Sequence, residues 1–158
     1  MIVVSNTTPI ISLASVGHLD ILEKLFGKVV IAKAVYDEIK AKPGHGYGQV
    51  DCAFIEVRAI QGHMYKDFLL GQLDAGEAET IILAKEISAD FVVIDENLGY
   101  RFANSAGLTA IRTLSLLLKA KEKGHISQVK PLLEEMVAKG RWYSAAVCHA
   151  FLAKAGEL

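Results

Sequence analysis

The sequence feature that most constrains the fold is an alternation of short apolar runs with longer helical patterns. Mainly apolar runs lie at residues 2–5, 29–32 and 91–94, and each is followed by a stretch with helical spacing of its apolar residues. Strands that are buried on both faces by helices have this pattern, and it is typical of βαβ units. The sequence therefore predicts an α/β fold of three layers (αβα) built on a mostly parallel sheet.

Two more strands are expected, which gives five in all. Residues 54–60 alternate apolar and polar side chains, so this strand should be half exposed at an edge of the sheet, and residues 109–111 form a short fifth strand. Helices are expected at about 8–14, 19–26, 33–42, 75–88, 99–105, 114–123 and 129–139, with a helical tail from about residue 141. Thr8 and Pro9 suit the cap and the first position of the first helix. At 158 residues, we expect one domain over 1–158.

The composition limits the cellular compartment in which such a chain is expected to function. Hydrophobic residues make up 52% of the chain, yet no uninterrupted apolar run approaches the ~20 residues of a membrane-spanning helix. Cys52 and Cys148 are too few for a disulfide framework. The amino terminus lacks the basic stretch of a signal peptide and fits a buried strand. We therefore expect a cytoplasmic protein that does not contact a membrane.

Polar residues end two of the predicted strands. Asn6 follows the first strand, and Asp95, Glu96 and Asn97 follow the strand at 91–94. Ligands of open parallel sheets bind beyond the carboxyl ends of the strands, so these residues are candidates for a site if the two strands are neighbours. The alternative is that they are only turn formers and helix caps.

Two predicted helices contribute further acids. Glu77 lies in the first turn of a helix, where it is either a site residue or the partner of Asp74 in a capping box. Glu79 lies about 200° from Glu77 around the helix, so only one of the two can face a site and the other is expected to be solvated. Glu38 flanks the buried stripe of its helix and is either at the lip of a pocket or simply solvated.

Several chemistries have little support. The five histidines show no ligand spacing, and no phosphate-binding loop, dinucleotide fingerprint or nucleophile elbow occurs. What remains is a set of oxygen donors: Asn6, Glu38, Glu77 and Asp95, with Glu96 or Asn97 in reserve. Hard oxygen donors without sulfur or imidazole suit Mg²⁺ or Mn²⁺, which supports metal-activated attack on a phosphodiester.

The net charge of −1 hides an uneven distribution. Residues 1–96 carry 8 basic and 14 acidic side chains, whereas residues 97–158 carry 9 basic and 4 acidic ones. A basic half beside an acidic site suits RNA binding, because cations hold the backbone. The candidate RNA-binding residues are Arg101, Arg112, Lys119, Lys121 and Lys123. The alternative is that the three lysines only solvate one helix.

Four segments in order resemble a known family. They are Ile-Val-Val-Ser-Asn-Thr-Thr-Pro-Ile-Ile-Ser-Leu at 2–13, Ala-Val-Tyr-Asp-Glu-Ile at 34–39, Leu-Asp-Ala-Gly-Glu-Ala-Glu-Thr-Ile at 73–81 and Val-Val-Ile-Asp-Glu at 92–96. Together with residues 114–126, they resemble PIN-domain proteins, and more narrowly the VapC-type toxins of prokaryotic toxin–antitoxin pairs. The resemblance covers nearly the whole chain.

The resemblance implies a fold, an activity and partners. The implied fold is a five-stranded parallel sheet with helices on both faces, and the implied activity is Mg²⁺- or Mn²⁺-dependent cleavage of RNA. It implies Glu38, Glu77 and Asp95 as catalytic residues, and a metal site of these three with position 6 and Glu96 or Asn97. It also implies a homodimer and often a small antitoxin protein. The tail aromatics, Trp142 among them, either line such an interface or complete the core.

The chain departs from the family pattern at two positions. The family has aspartate where this chain has Asn6, which keeps one oxygen but lacks the charge that binds and orients a metal. Natural drift and an engineered or selected change are both compatible with the sequence, and the alternative function is an impaired PIN fold that binds RNA or an antitoxin. Arg112 replaces an expected small residue, and is either near the site mouth or solvated. A receiver-like domain is disfavoured, because the strand at 54–60 ends without an aspartate.

Overall fold

The computed structural model describes residues 1–158 and contains five strands and nine helices. The strands are β1 (Val3–Ser5), β2 (Val29–Ala32), β3 (Ile55–Arg58), β4 (Phe91–Val93) and β5 (Ala110–Ile111). The helices are α1 (Thr7–Ser15), α2 (Ile21–Phe26), α3 (Lys33–Lys40), α4 (His63–Leu69), α5 (Ala75–Glu86), α6 (Asn97–Ser105), α7 (Thr113–Glu122), α8 (Lys130–Ala138) and α9 (Ala145–Ala155).

The five strands form one parallel sheet in the order β3-β2-β1-β4-β5. Every pairing between neighbouring strands is parallel, and β1 contacts both β2 and β4. Helices cover both faces of this sheet, so the predicted three-layer α/β fold with a five-stranded parallel sheet is confirmed. The strand β2 has the predicted bounds, and the other four strands are one to three residues shorter than predicted.

Burial explains why these segments become strands. All the residues of β1 and β2 are buried, and the central strands lie within one hydrophobic core of 36 buried residues. The edge strand β3 is only partly buried, as its alternating sequence predicts. A strand enclosed on both faces needs apolar side chains at successive positions, which is the pattern the sequence shows.

The helices pack in two groups. Helix α5 contacts β1, β2 and β4 and also packs against α3, α4 and α6. Helix α2 contacts β2 and α7, and α7 in turn contacts α1 and α9. The tail beyond residue 140 therefore ends in a helix that docks on the body of the protein, with Phe151 of α9 only 5% exposed.

Two local features differ from the sequence predictions. Helix α4 was not predicted, because it has seven residues, no buried side chain and no side-chain cap. Helix α1 begins at Thr7 and not at Pro9, so Asn6, and not Thr8, occupies the cap position. No helix combines the length and apolar character that a bilayer crossing requires.

Candidate active site

The sheet places a crevice between β1 and β4. From β1 the chain proceeds through β2 to β3 on one side, and β4 and β5 lie on the other side. In parallel sheets the loops that leave two neighbouring strands in opposite directions open a crevice at the carboxyl ends, where ligands bind. Asn6 directly follows β1, and residues 95–97 follow β4, so both predicted polar groups flank this crevice.

A polar cavity of about 490 Å³ lies at this position. Five of the six predicted metal ligands line it, together with Thr7, Thr8, Asp74 and Leu98. The five are Asn6, Glu38, Glu77, Glu96 and Asn97. The structure thus brings together residues from four separate segments of the chain, and leaves out Asp95.

Glu38 is held in place although it is exposed. Its Oε2 accepts a hydrogen bond of 2.5 Å from the Thr7 hydroxyl, and its Oε1 accepts one of 3.0 Å from the backbone N–H of Gly76. Helix α3 supplies the carboxylate, and α1 and α5 supply the two donors. The alternative of a simply solvated helix acid does not describe this residue, because both oxygens have partners that fix the carboxylate at the cavity.

Glu77 combines the two roles that its sequence position allows. Its Oε1 accepts a hydrogen bond from the Asp74 N–H at 3.1 Å, and the Asp74 carboxylate accepts one from the Glu77 N–H at 2.8 Å, which forms a capping box for α5. Burial raises the pKa of Glu77, and the nearby carboxylates of Asp74 and Glu96 raise it further against the effect of the Asp74 N–H. Negative charge is therefore crowded in this cavity.

Asn6 lies at the cap position of α1 but does not act as a cap. Its side chain makes no capping hydrogen bond, and its backbone N–H donates to Val93 of β4 at 2.9 Å. The Thr80 hydroxyl lies 3.4 Å from Asn6 Oδ1 but only 2.7 Å from the Gly76 carbonyl oxygen, and its single proton goes to the shorter contact. The buried side-chain amide of Asn6 thus faces the cavity, and the protein makes almost no hydrogen bond to it.

Asp95, which the sequence predicts as a metal ligand, is not among the residues that line this cavity. Its two carboxylate oxygens accept hydrogen bonds of 2.8 Å from the Thr113 N–H and hydroxyl, and Arg141 lies 3.5 Å from Oδ2. The side chain therefore points toward the start of α7. Glu96 is the cap residue of α6 without a capping hydrogen bond, so it and Asn97 present their side chains to the cavity instead.

Glu79 is not the solvated acid that the sequence predicted. It is 6% exposed, accepts a hydrogen bond of 3.0 Å from the Ala34 N–H, and pairs with Lys66 at 2.6 Å. Its role is therefore to bind α3 and α4 to α5. Glu77 and Glu79 do face different directions, as their spacing predicts.

The candidate RNA-binding residues lie in different places. Arg101 is exposed on α6, one turn beyond Asn97 and therefore on the same side of the helix. The Arg112 guanidinium donates to the Asp95 carbonyl oxygen at 2.6 Å and lies 4.1 Å from the centre of the Tyr100 ring, so it is not simply solvated. Both arginines are near the carboxyl ends of the strands.

The three lysines lie away from the cavity. Lys119 is 5.7 Å from the ring of Phe91, the first residue of β4, which places it at the opposite end of the sheet. Lys121 is engaged with the Ala155 carbonyl oxygen and the Glu157 carboxylate, and Lys123 follows the far end of α7. Helix α7 starts at the site edge and runs back along the sheet, so its last residues are remote from it.

Two glycines that the sequence analysis did not single out shape the cavity. A Cβ on Gly76 would lie 2.5 Å from Glu38 Oε1, and a Cβ on Gly99 would lie 3.1 Å from Glu77 Oε2 and 2.6 Å from Ile94 Cδ1. Both glycines occupy the first turn of a helix, where a missing side chain lets a carboxylate approach the backbone. Glycine inside a predicted helix is the sequence signal for such a close approach.

The donor set fits a hard divalent cation. Carboxylate and amide oxygens line the cavity without sulfur or imidazole. Burial is the main cause of the raised pKa of Glu77, and the neighbouring carboxylates of Asp74 and Glu96 add a smaller repulsion that a cation would relieve. No three His, Cys, Asp or Glu side chains form a ready-made metal cluster. Glu38 is already held at the cavity, whereas the exposed Glu96 makes no capping hydrogen bond, so its carboxylate can turn toward an ion.

Comparison with known proteins agrees with this geometry. A family model described as the PIN domain matches residues 2–157. No curated protein and no solved structure gave a significant match to the chain. PIN domains are generally nucleases and usually use divalent metal ions, which suits an oxygen-lined cavity at the crevice of a parallel sheet. Because the match spans almost every residue and the sheet has five parallel strands with helices on both faces, the chain belongs to the PIN-domain family.

Proposed function

We propose that this protein is a Mg²⁺- or Mn²⁺-dependent endoribonuclease whose active site is the polar cavity between β1 and β4. The observation that carries the proposal is the convergence of Asn6, Glu38, Glu77, Glu96 and Asn97 on one cavity in a PIN-domain chain. Four segments distant in sequence supply these residues, and none of the five is needed to fill the hydrophobic core.

Glu38, Glu77 and Glu96 would hold the metal, with Asn6 and Asn97 as amide donors. A bound divalent cation supplies an acidified water at neutral pH and neutralises charge that develops on the phosphoryl group. The Thr7 hydroxyl and the Gly76 N–H orient the Glu38 carboxylate, and the Asp74 N–H orients Glu77. Such supporting hydrogen bonds keep ligands in a productive orientation.

For Asp95 we propose a positioning role instead of a ligand role. Its carboxylate holds the start of α7 through Thr113 and the irregular segment after α8 through Arg141. It therefore fixes the turn that presents Glu96 and Asn97 to the cavity. Removing this carboxylate would disturb the site without removing a donor from it.

Asn6 favours a second candidate function, a weakened PIN fold that acts by binding RNA or an antitoxin. An aspartate at this buried position would add one negative charge beside Glu38 and Glu77. The amide offers an oxygen but no charge, so we expect a weaker metal site than an aspartate would give.

The test compares RNA cleavage by the chain and by Asn6→Asp, with Mn²⁺ and with EDTA. We expect Asn6→Asp to cleave at least tenfold faster, because ligand charge raises metal affinity. Asn104→Asp, which adds the same charge on α6 outside the cavity, is the control and should not gain activity. Cleavage by neither chain, with both folded, would refute the nuclease assignment for the RNAs tried. Equal rates would show that the charge at position 6 is dispensable.

The proposal extends to partners and location. We propose that the protein is the toxin of a toxin–antitoxin pair, that it forms a homodimer and that it works in the cytoplasm, where its free Cys52 and Cys148 stay reduced. A toxin role is tested by inducing the chain, Asn6→Asp and Asn6→Asp/Glu38→Gln in bacterial cells. Growth arrest by Asn6→Asp that is lost in the double variant supports the toxin role, and unimpaired growth with all three contradicts it.

A further inference from the structure

A second cavity of about 630 Å³ adjoins the active-site cavity. The two share Glu96 and Asn97 as a common wall. Beyond that wall the lining includes Asp95 but also gains two arginines and two aromatic residues: Arg112, Arg141, Trp142 and Tyr143. A ligand that occupies the first cavity can therefore extend directly into the second.

Arg112 brings a positioned charge to this second cavity. One guanidinium nitrogen donates to the carbonyl oxygen of Asp95, and the group stacks on Tyr100. Arg112 forms no salt bridge with a carboxylate, so its charge is oriented but not neutralised. Most of its N–H donors stay available, and a guanidinium fixed in this way suits an anionic oxygen such as that of a phosphate.

Trp142 brings an exposed aromatic face. The residue is 76% exposed, although it lies in a segment that is fixed at both ends. Arg141 on one side is paired with Asp95 and lies 4.7 Å from the centre of the Tyr143 ring. Ser144 on the other side caps α9 by accepting the Val147 N–H at 3.1 Å. The indole therefore presents a free face on which a planar group can stack.

Two buried polar groups beside this cavity lack a hydrogen-bond partner. The Arg141 Nε and the Tyr143 hydroxyl are buried without a hydrogen-bond partner. Both belong to residues that line the second cavity. Buried polar groups in proteins are normally satisfied, so this wall is incomplete as it stands.

We propose that the second cavity binds the nucleotide next to the cleaved phosphodiester in single-stranded RNA, with its base stacked on Trp142 and its phosphate at Arg112. This inference rests on the proposed nuclease function, because the shared wall of Glu96 and Asn97 makes the cavity a continuation of that site. An indole stacks on any unpaired base, and a cation beside it follows the backbone. A base within a duplex could not reach the indole, which is why the substrate is single-stranded.

The acidic first cavity makes such a subsite necessary. Glu38, Glu77 and Glu96 repel the RNA backbone until a metal is bound. A neighbouring cation and a stacking surface hold the strand independently of that metal. The lysines of α7 do not hold the RNA strand at the site, because they lie toward the other end of the sheet.

Trp142 is the only tryptophan of the chain, so its fluorescence reports on this cavity alone. The experiment titrates the full-length protein in EDTA with a 5′-labelled oligouridylate and follows both tryptophan quenching and probe anisotropy. We expect saturable quenching. Trp142→Ala should weaken binding about fivefold or more, and Trp142→Phe should retain most of the affinity.

Arg112→Gln should lower the slope of log affinity against log salt by about 0.7, the amount expected for one lost phosphate contact. Lys28→Gln removes an exposed cation before β2, at the opposite end of the sheet, and should change neither affinity nor slope. Circular dichroism checks that the variants are folded.

Three outcomes would overturn the proposal. Binding without quenching, and equally strong in Trp142→Ala, refutes the subsite while the nuclease proposal stands. No binding by the unmodified chain with EDTA or Mn²⁺, together with no cleavage, refutes both. A Trp142→Ala protein whose mass by light scattering falls to that of a monomer, without change in RNA affinity, assigns Trp142 to a protein interface instead.

Discussion

At the scale of single residues, the site depends on how closely carboxylates approach backbone. Gly76 lies in the first turn of α5, and its N–H donates to Glu38 while its missing side chain leaves room for the same carboxylate. Gly99, at the start of α6, likewise has no side chain and leaves room for the Glu77 carboxylate. Each glycine therefore makes its helix less stable than alanine would, but it leaves room for a carboxylate at the cavity.

Gly76→Ala should separate stability from function. Alanine favours the helix by up to about 1 kcal/mol, so we expect an unchanged or higher melting temperature. Its Cβ, however, would lie 2.5 Å from Glu38 Oε1, so the carboxylate must move away. We expect Mn²⁺ affinity, measured by calorimetry, to fall on the order of tenfold.

Gly48→Ala is the matched control, because a Cβ there meets nothing within 4 Å. It should leave Mn²⁺ affinity unchanged. If Gly76→Ala binds Mn²⁺ as tightly as the unmodified chain, Glu38 does not hold the metal in the orientation described.

Residue types and strand ends predict most of the cavity but not which way each side chain points. Asp95 and Glu96 follow the same strand, and the sequence favours Asp95 as the ligand. In the structure Asp95 accepts hydrogen bonds from Thr113, which lies 18 positions further along the chain, and Glu96 lines the cavity instead. A hydrogen bond between residues so distant leaves no local pattern, so only the assembled fold reveals it.

At the scale of elements, α3 and α8, like α7 at Asp95, begin without a cap of their own and are capped from elsewhere. Glu79 of α5 accepts the Ala34 N–H at the start of α3, and Glu157 accepts the N–H groups of Val129 and Lys130 at the start of α8. Carboxylates are favourable at helix amino termini, where N–H groups lack partners. The first of these contacts fixes α3, which carries Glu38, and the second ties the tail to the core.

The Glu157 contact predicts a pH dependence of stability. Burial would raise the pKa of Glu157, but hydrogen bonds from Lys121 and from the two backbone N–H groups outweigh burial and lower it to about 2. Because the folded state lowers this pKa from an ordinary value of 4.5, the stabilisation is complete above about pH 4.5 and is lost as the pH falls toward 2.

Glu157→Gln should therefore cost about 1–2 kcal/mol of unfolding free energy at pH 7, measured by urea denaturation. The difference from the unmodified chain should shrink between about pH 4.5 and 2. Glu134→Gln, an exposed acid of α8 with no hydrogen-bond partner, should have little effect at either pH. A constant difference across this range would mean that Glu157 keeps its ordinary pKa.

Strands and long helices are predictable here because burial on both faces forces apolar runs and helical spacing. The sequence does not predict helix α4 for the opposite reason, because none of its residues is buried and no capping signal marks its start. Its position became fixed only through contacts with α5, including the Lys66–Glu79 pair. Short surface helices of this kind are set by tertiary contacts and not by local propensity.

At the scale of the whole molecule, α4 leaves an apolar surface in water. Met64, Tyr65 and Phe68 are 73%, 69% and 79% exposed, and Tyr65 and Phe68 border an apolar cavity of about 510 Å³ between α4, α5 and α6. Ile82 and Phe102 line the opposite wall of that cavity. Projecting rings and a receptive groove on one face form a self-complementary surface, as a two-fold dimer requires, so the proposed homodimer is expected to form here.

Phe68→Asp should break that dimer. A charge placed at the centre of an apolar interface cannot be paired there, so we expect light scattering to show a monomer at concentrations where the unmodified chain is dimeric. The monomer should stay folded, because Phe68 contributes nothing to the core. Trp142→Asp is the matched control, an equally exposed aromatic residue at the proposed RNA subsite, and should leave the dimer intact. The reverse result, with Phe68→Asp dimeric and Trp142→Asp monomeric, would place the subunit contact at the tail and free the α4 surface for a different protein partner.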